Sequence, residues 1–178
     1  MTVAAKPAIY LISGPMAAGK STVARALAER FERGVHLEGD VFRRSVVRGR
    51  AEMTPDPSTE ARTQLQLRYE LATAAADAYL AAGFTVALED VFAPEQLEEL
   101  RGSIVGRPCH VIVLLPSLAA IAARERGRPE TGYDTWTVEE LHAVFTAVPE
   151  RIGVWLDTSE LTVEETVDRI LAETSGGA

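Results

Sequence analysis

The sequence predicts a single-domain α/β protein built on a five-stranded parallel sheet flanked by helices, and three features carry that prediction. Short, nearly continuous runs of Val, Ile and Leu recur along the chain, as strands covered on both faces require. Segments of helical period separate them, the alternation that yields a parallel sheet. A glycine-rich turn, GPMAAGKST (14–22), joins the first run to the first helical segment. With 178 residues of which 47% are hydrophobic, the chain suits one core, so residues 1–178 read as one domain.

Taken in order, IYLIS (9–13) is the first strand, and a helical pattern follows over 20–33. GVHLEGD (34–40) is a weaker strand candidate, ahead of a long helical pattern at 60–82. FTVALED (84–90) and HVIVLL (110–115) are the next strands, the latter stopped by Pro116, with helical stretches at 94–102 and 117–126 after them. IGVWLD (152–157) completes the set, between helices at 137–146 and 162–173. Both of these last helices open on TVEE, at Thr137 and Thr162, which places a hydroxyl three residues before a carboxylate as a capping box requires. AEMTPDPSTEA (51–61) reads as a loop, RERGRPETGYDTW (124–136) as a second polar excursion and TSGGA (174–178) as a flexible tail.

Composition excludes several classes of function. A formal charge of −8 lacks the basic excess of a general nucleic-acid binder, so no nucleic-acid partner is expected. The single cysteine, Cys109, rules out an internal disulfide framework, and His36, His110 and His142 show no ligand spacing that favours zinc. No apolar stretch reaches the roughly 18 residues of a membrane span, and no leader-like segment opens the chain. A cytoplasmic location and no membrane partner are the resulting expectations. Trp136 and Trp155 suit core or interface positions better than stacking platforms.

Chemistry concentrates in the turn. Gly14, Gly19, Lys20 and Ser21 satisfy G-x-x-x-x-G-K-[ST] between a strand and a helix, the context in which inward-pointing amides and a helix N-terminus cradle phosphates. Gly14, Pro15, Met16, Ala17, Ala18, Gly19, Lys20, Ser21 and Thr22 are therefore the candidate nucleotide-binding residues, with ATP and Mg²⁺ as the expected cofactors. Lys20 would bridge the outer phosphates and the Ser21 hydroxyl would ligate the ion.

The acceptor side is read from strand ends, because the C-terminal ends of parallel strands share one edge. Asp40, at the end of LEGD, can orient an alcohol and accept its proton, with Arg43 and Arg44 beside it to grip a substrate. An Asp in this place also suits a helix N-cap. Asp90, with Glu89 as the alternate, ends the third strand as the metal-side carboxylate and a further substrate contact. Arg124, Arg126 and Arg128 can close over the transferring group: Arg124 and Arg128 are the catalytic candidates with Lys20 and Asp40, and Arg126 is a nucleotide contact. Tyr69 and Arg68 are candidate walls of the acceptor pocket. A monophosphate acceptor, gripped by Arg43, Arg44 or Arg62, stays open as an alternative, as does a regulatory protein that binds ATP without transfer.

The strand-loop-helix at 9–31, the GD at 39–40, DVF at 90–92, the Arg-rich 124–128 and the final LDTSELTVEETVDRIL together resemble the small P-loop kinases of the nucleoside-monophosphate-kinase-like group. Within that group the chain is most similar to the chloramphenicol phosphotransferase-like branch, while LEGDVFRR equally resembles the GD element of adenylylsulfate and gluconate kinases. The resemblance, spanning 9–173, implies a P-loop kinase fold, an ATP site at 14–22 with Mg²⁺, an Arg-bearing lid at about 124–136 and Asp40 as acceptor-side base. It further implies phosphorylation of a hydroxyl on a small molecule, an antibiotic or other natural product among the candidates.

Overall fold

The computed structural model describes residues 6–104, 106–127, 135–148 and 150–175. The chain runs β1 (Ile9–Ser13), α1 (Lys20–Ala28), β2 (Gly34–Glu38), α2 (Asp40–Arg44), α3 (Thr59–Ala81) and β3 (Thr85–Glu89). It continues through α4 (Pro94–Ser103), β4 (Cys109–Leu114), α5 (Leu118–Arg126), α6 (Val138–Thr146), β5 (Val154–Leu156) and α7 (Val163–Thr174). The five strands are all parallel and lie in the order β2-β3-β1-β4-β5. This is the architecture of a P-loop kinase.

Alternation along the strands divides the core. Ile9 and Leu11 of β1, Val86 and Leu88 of β3, and Val111 and Val113 of β4 pack against Tyr69, Ala72 and Ala76 of α3, Leu97 of α4 and Phe145 of α6. Tyr10 and Ile12, Ala87, and Ile112 and Leu114 face the other way, onto Val23, Ala24 and Leu27 of α1 and Val167 and Ile170 of α7. Every residue of β1 is buried, which is why its sequence is apolar from Ile9 to Ile12 rather than alternating, and why the Ser13 hydroxyl at its end is satisfied by the Phe92 carbonyl. The neighbours β1 and β3 send their following helices to opposite faces, α1 to one and α4 to the other. A crevice opens between strands that diverge in this way, at their carboxyl ends.

The helices begin where the sequence places them. Thr137 and Thr162 each complete a capping box with Glu140 and Glu165, and the Ser58 side chain accepts from the Ala61 amide to start α3. Several boundaries differ from expectation, and two of these differences bear on the site. The first helix stops at Ala28 rather than 33, because Gly34 brings β2 back so close that a Cβ there would lie 1.9 Å from the Ala28 carbonyl oxygen. The second strand ends at Glu38, so Asp40 is the first residue of the short α2, an element the sequence reading missed, and not a strand terminus.

Candidate functional site

The glycine-rich turn owes its shape to a few backbone angles. Gly14 (φ 143°) and Gly19 (φ 94°) occupy the positive-φ region, and a Cβ on Gly14 would meet the Leu114 carbonyl oxygen at 2.2 Å. Ala17 also has positive φ, 59°, the only non-glycine among the described residues to do so; such strain is characteristic of sites where conformation serves binding. The turn leads directly into α1, whose first amides supply a positive end for an anion. Lys20 is 8% exposed, and its Nζ donates to the carbonyls of Gly14 at 3.1 Å and Pro15 at 3.0 Å, which folds the ammonium back over the turn.

Register brings the next component. Ile12 of β1 pairs with Glu89 of β3, and the Ser21 hydroxyl donates to Glu89 Oε1 at 2.8 Å. Glu89, buried at 7% exposure, is thus the carboxylate that reaches Ser21. Asp90, the preferred metal-side residue in the sequence reading, does not: alternation at the strand end turns it to the other side, where Arg68 clamps both its oxygens. Asp90 Oδ1 also accepts from the Val91 amide at 2.6 Å.

Asp40 sits among arginines. Arg43 Nε donates to Oδ1 at 2.7 Å, Arg44 Nη1 to Oδ2 at 2.6 Å, and Arg68 Nη1 approaches Oδ1 at 3.4 Å. Burial favours the neutral acid, but the Arg43 hydrogen bond and the charges of Arg43, Arg68 and Arg44 outweigh it and hold the Asp40 carboxyl below the ordinary aspartate value. Arg68 therefore ties Asp90 to Asp40 in one ionic network. The GD pair acquires a steric reason here, since a Cβ on Gly39 would lie 2.1 Å from Asp90 Oδ2. Arg43 and Arg44 are themselves engaged by Glu52 at 2.8 Å and Glu38 at 3.1 Å, so their charges are balanced within the protein.

The phosphate turn, Glu89 and Asp40 all line one cleft of about 2000 Å³, walled on its far side by Phe42, Met53, Leu65 and Trp136. Trp136 Nε1 donates to the Met53 carbonyl at 3.2 Å and Thr135 Oγ1 to the same oxygen at 3.1 Å, which joins the chain ahead of α6 to the loop ahead of α3. Arg124 lies at the turn, donating to the carbonyls of Ala18 at 3.1 Å and Thr158 at 2.6 Å. Arg126 is exposed at the end of α5, and Arg128 lies outside the described residues. Tyr69, expected on the acceptor wall, lines the cleft from within the core: it is 1% exposed, packs its ring on Phe92 and donates its hydroxyl to the Val91 carbonyl at 2.9 Å. It lies on the inward stripe of α3 with Ala72 and Ala76.

Two features escaped the sequence reading. The ion-pairing role of Arg68 could not be read without knowing that α3 passes the ends of β2 and β3. His36 and Glu38, two apart on β2 and therefore on one face, meet Glu89 through the pairing of Glu38 with Glu89. A search for ligands along the chain alone could not find them, though the alternation H-x-E was visible.

A family model described as an AAA domain matches residues 9–152. No curated protein matches the sequence. Among solved structures, the fold is similar to an unliganded sugar kinase from Janibacter sp. HTCC2649, with 18% identity over 95% of both chains and a TM-score of 0.69. It is similar to the tunicamycin resistance protein of Deinococcus radiodurans, at 18% identity over 97% of this chain and 96% of that one, TM-score 0.66. A gluconokinase from Sinorhizobium meliloti 1021 is 22% identical over 97% of this chain and 94% of its own, TM-score 0.64. These likenesses establish the fold.

Proposed function

The chain belongs to the AAA domain family, and within it we propose an ATP-dependent small-molecule kinase that phosphorylates a hydroxyl of a polar metabolite, of the gluconate or sugar kind. One observation carries the reading: Ser21 and Glu89 are hydrogen-bonded at 2.8 Å beneath the phosphate turn, in the same cleft that Asp40 faces. The turn's fit to a nucleotide is supported by its positive-φ residues and by the helix N-terminus behind it. Ser21 and Glu89 form the oxygen-donor set that Mg²⁺ prefers, with Glu89 acting directly or through water. When bound, ATP and Mg²⁺ supply the phosphoryl group and neutralise its charge.

The chain's own residues take the remaining parts. Lys20 and the loop amides hold the phosphates, with Gly14 to Thr22 as the cradle. Asp40 orients the acceptor hydroxyl and takes its proton. A carboxyl held below its ordinary value is a weak base, yet a loose phosphoryl-transfer transition state asks little proton abstraction of it. Arg124 steadies the turn, and Arg126 stands at the end of α5 where the expected lid begins. Asp90 and Arg68 hold Asp40 in place. Residues 1–178 act as a single domain in this reading.

The charge balance of Arg43 and Arg44 favours an alcohol over a monophosphate acceptor at that end of the cleft, because neither guanidinium is available without breaking an ion pair; Arg62, which also lines the cleft, is the remaining grip a monophosphate could use. A natural-product acceptor, such as an antibiotic of the kind a chloramphenicol phosphotransferase modifies, is the second reading. The apolar wall of Phe42, Met53, Leu65 and Trp136 favours it, and the tunicamycin resistance protein shares the fold. The test is mass-spectrometric detection of a phosphorylated product from separate panels of sugar acids, sugars, nucleoside monophosphates and antibiotics with ATP and Mg²⁺. Phosphorylation of a polyol or sugar acid, lost in Asp40→Asn, is the expected result. ATP binding without any phosphorylated product would leave a regulatory nucleotide binder instead. No helix among the described residues is long and apolar enough to cross a membrane.

A further inference from the structure

The face of the sheet beneath the phosphate turn holds a second polar cluster. His36 and Glu38 project from β2 and Glu89 from β3, with one potential ligand atom of each lying within 4.8 Å of the other two. The His36 side chain is 11% exposed, and its Nε2 is 3.9 Å from Glu89 Oε1, beyond hydrogen-bond reach. That nitrogen is fully buried and finds no hydrogen-bond partner among the described residues. A buried, unpaired ring nitrogen aimed at two carboxylates is costly unless something else satisfies it.

We propose that His36, Glu38 and Glu89 form a binding site for a borderline transition-metal dication, Zn²⁺ in the first instance, distinct from the Ser21 position that suits Mg²⁺. The donor set discriminates between the two. Imidazole with carboxylates is a usual set for Zn²⁺ and its neighbours, whereas Mg²⁺ takes oxygen ligands and gives up its waters reluctantly. The ligand atoms already lie within 4.8 Å of one another, and an ion held among them at bonds of about 2.0–2.2 Å would draw Glu38 from Arg44 as well as Glu89 from Ser21. Strand geometry keeps the three together: Glu38 follows His36 by one alternation, and the Glu38–Glu89 register is fixed by the β2–β3 ladder.

The position gives the metal a consequence. Glu89 accepts from Ser21 through Oε1, so an ion that draws this carboxylate toward His36 takes it from Ser21. Occupancy of the new site thus opposes occupancy at Ser21. That consequence rests on the proposed nucleotide reading, but the site itself does not, and the test uses nucleotide-free protein so that the two can fail separately.

The experiment is titration of the full-length, nucleotide-free protein with Co²⁺ alone, followed by its d–d absorption, and then displacement by Zn²⁺ measured calorimetrically. One equivalent is expected to bind to the wild type and to Ser21→Ala. His36→Gln is expected to weaken binding by roughly tenfold or more, the scale on which lost support costs metal sites. Circular dichroism and melting checks establish that the variant folds; if it does not, Glu38→Gln carries the same expectation. Absence of a bound equivalent in the wild type overturns the proposal. So does equal affinity in the folded His36 or Glu38 variant, and so does loss of binding in Ser21→Ala alone, which would place the ion at the phosphate turn.

Discussion

Substitution of Gly39 by alanine isolates the close approach on which the acceptor side depends. The Gly39 backbone, at φ −61° and ψ −32°, is ordinary helical geometry that alanine adopts without strain. Conformational entropy alone would therefore make Gly39→Ala stabilising, by about 0.4–1 kcal/mol. Packing opposes this, because the new methyl would stand 2.1 Å from Oδ2 and 2.8 Å from Cγ of Asp90. The carboxylate cannot swing away freely, since Arg68 and the Val91 amide hold it and its side chain is 2% exposed. Breaking a buried ion pair costs roughly 3–5 kcal/mol, which leaves a net loss of about 2–4 kcal/mol after the entropic gain. For a domain of this size that corresponds to a fall in Tm of roughly 4–16 °C. Urea unfolding followed by circular dichroism measures it, with linear extrapolation to water. The second arm repeats the substitution in an Asp90→Ala background, where the obstructing carboxylate is gone and only the Cβ at 3.1 Å remains, so most of the loss should disappear. An equal loss in both backgrounds, or none in the first, would refute the steric account of the GD pair.

Asp40 titrates below an unfolded aspartate, whose value is about 3.9; its stabilising contribution is therefore complete above that pH and disappears as pH falls through the lower, folded value. Asp40→Asn should accordingly flatten the acid limb of a stability profile measured by urea midpoint, and an unchanged limb would contradict the arginine cluster. Lys20→Ala should abolish binding of a fluorescent ATP analogue while the fold survives, and undiminished affinity would remove Lys20 from the phosphate site. Burial pushes the Cys109 thiol up to about 11, against a smaller opposing effect of Arg101, so a thiol reagent at neutral pH should react slowly until urea is added. Thr137→Ala should lower stability by about 1 kcal/mol through loss of the capping box, read from the same urea curves.

How far the sequence could be read depended on whether a feature was local. The strands of apolar residues, the phosphate turn and both TVEE caps are written in contiguous residues, and the structure places them within a few positions of the reading. Asp40 is a mixed case: its nearness to Arg43 and Arg44 follows from helical spacing, yet the helix itself, five residues long, leaves too little periodicity to detect. Glu89 and Asp90 were both visible as strand-end carboxylates. Nothing in the dipeptide said which would meet Ser21, because that depends on the β1–β3 register, which sends one side chain to the α1 face and the next to α3.

The same register decides what the site can do. Had the strands slipped by one residue, Asp90 would lie beneath the phosphate turn and Glu89 beside Arg68, exchanging the two carboxylates. Arg68 resists the slip, since its side chain is 13% exposed and would lose the aspartate that engages both its Nε and Nη2. Gly39 favours the observed register as well, since its missing Cβ leaves the space that the Asp90 carboxylate occupies. An ionic clamp on one face of the sheet thus fixes which carboxylate serves Ser21 on the other. Arg68→Met is therefore expected to disturb the Ser21–Glu89 pair without touching either residue, and a nucleotide affinity unchanged in that variant would separate the two faces.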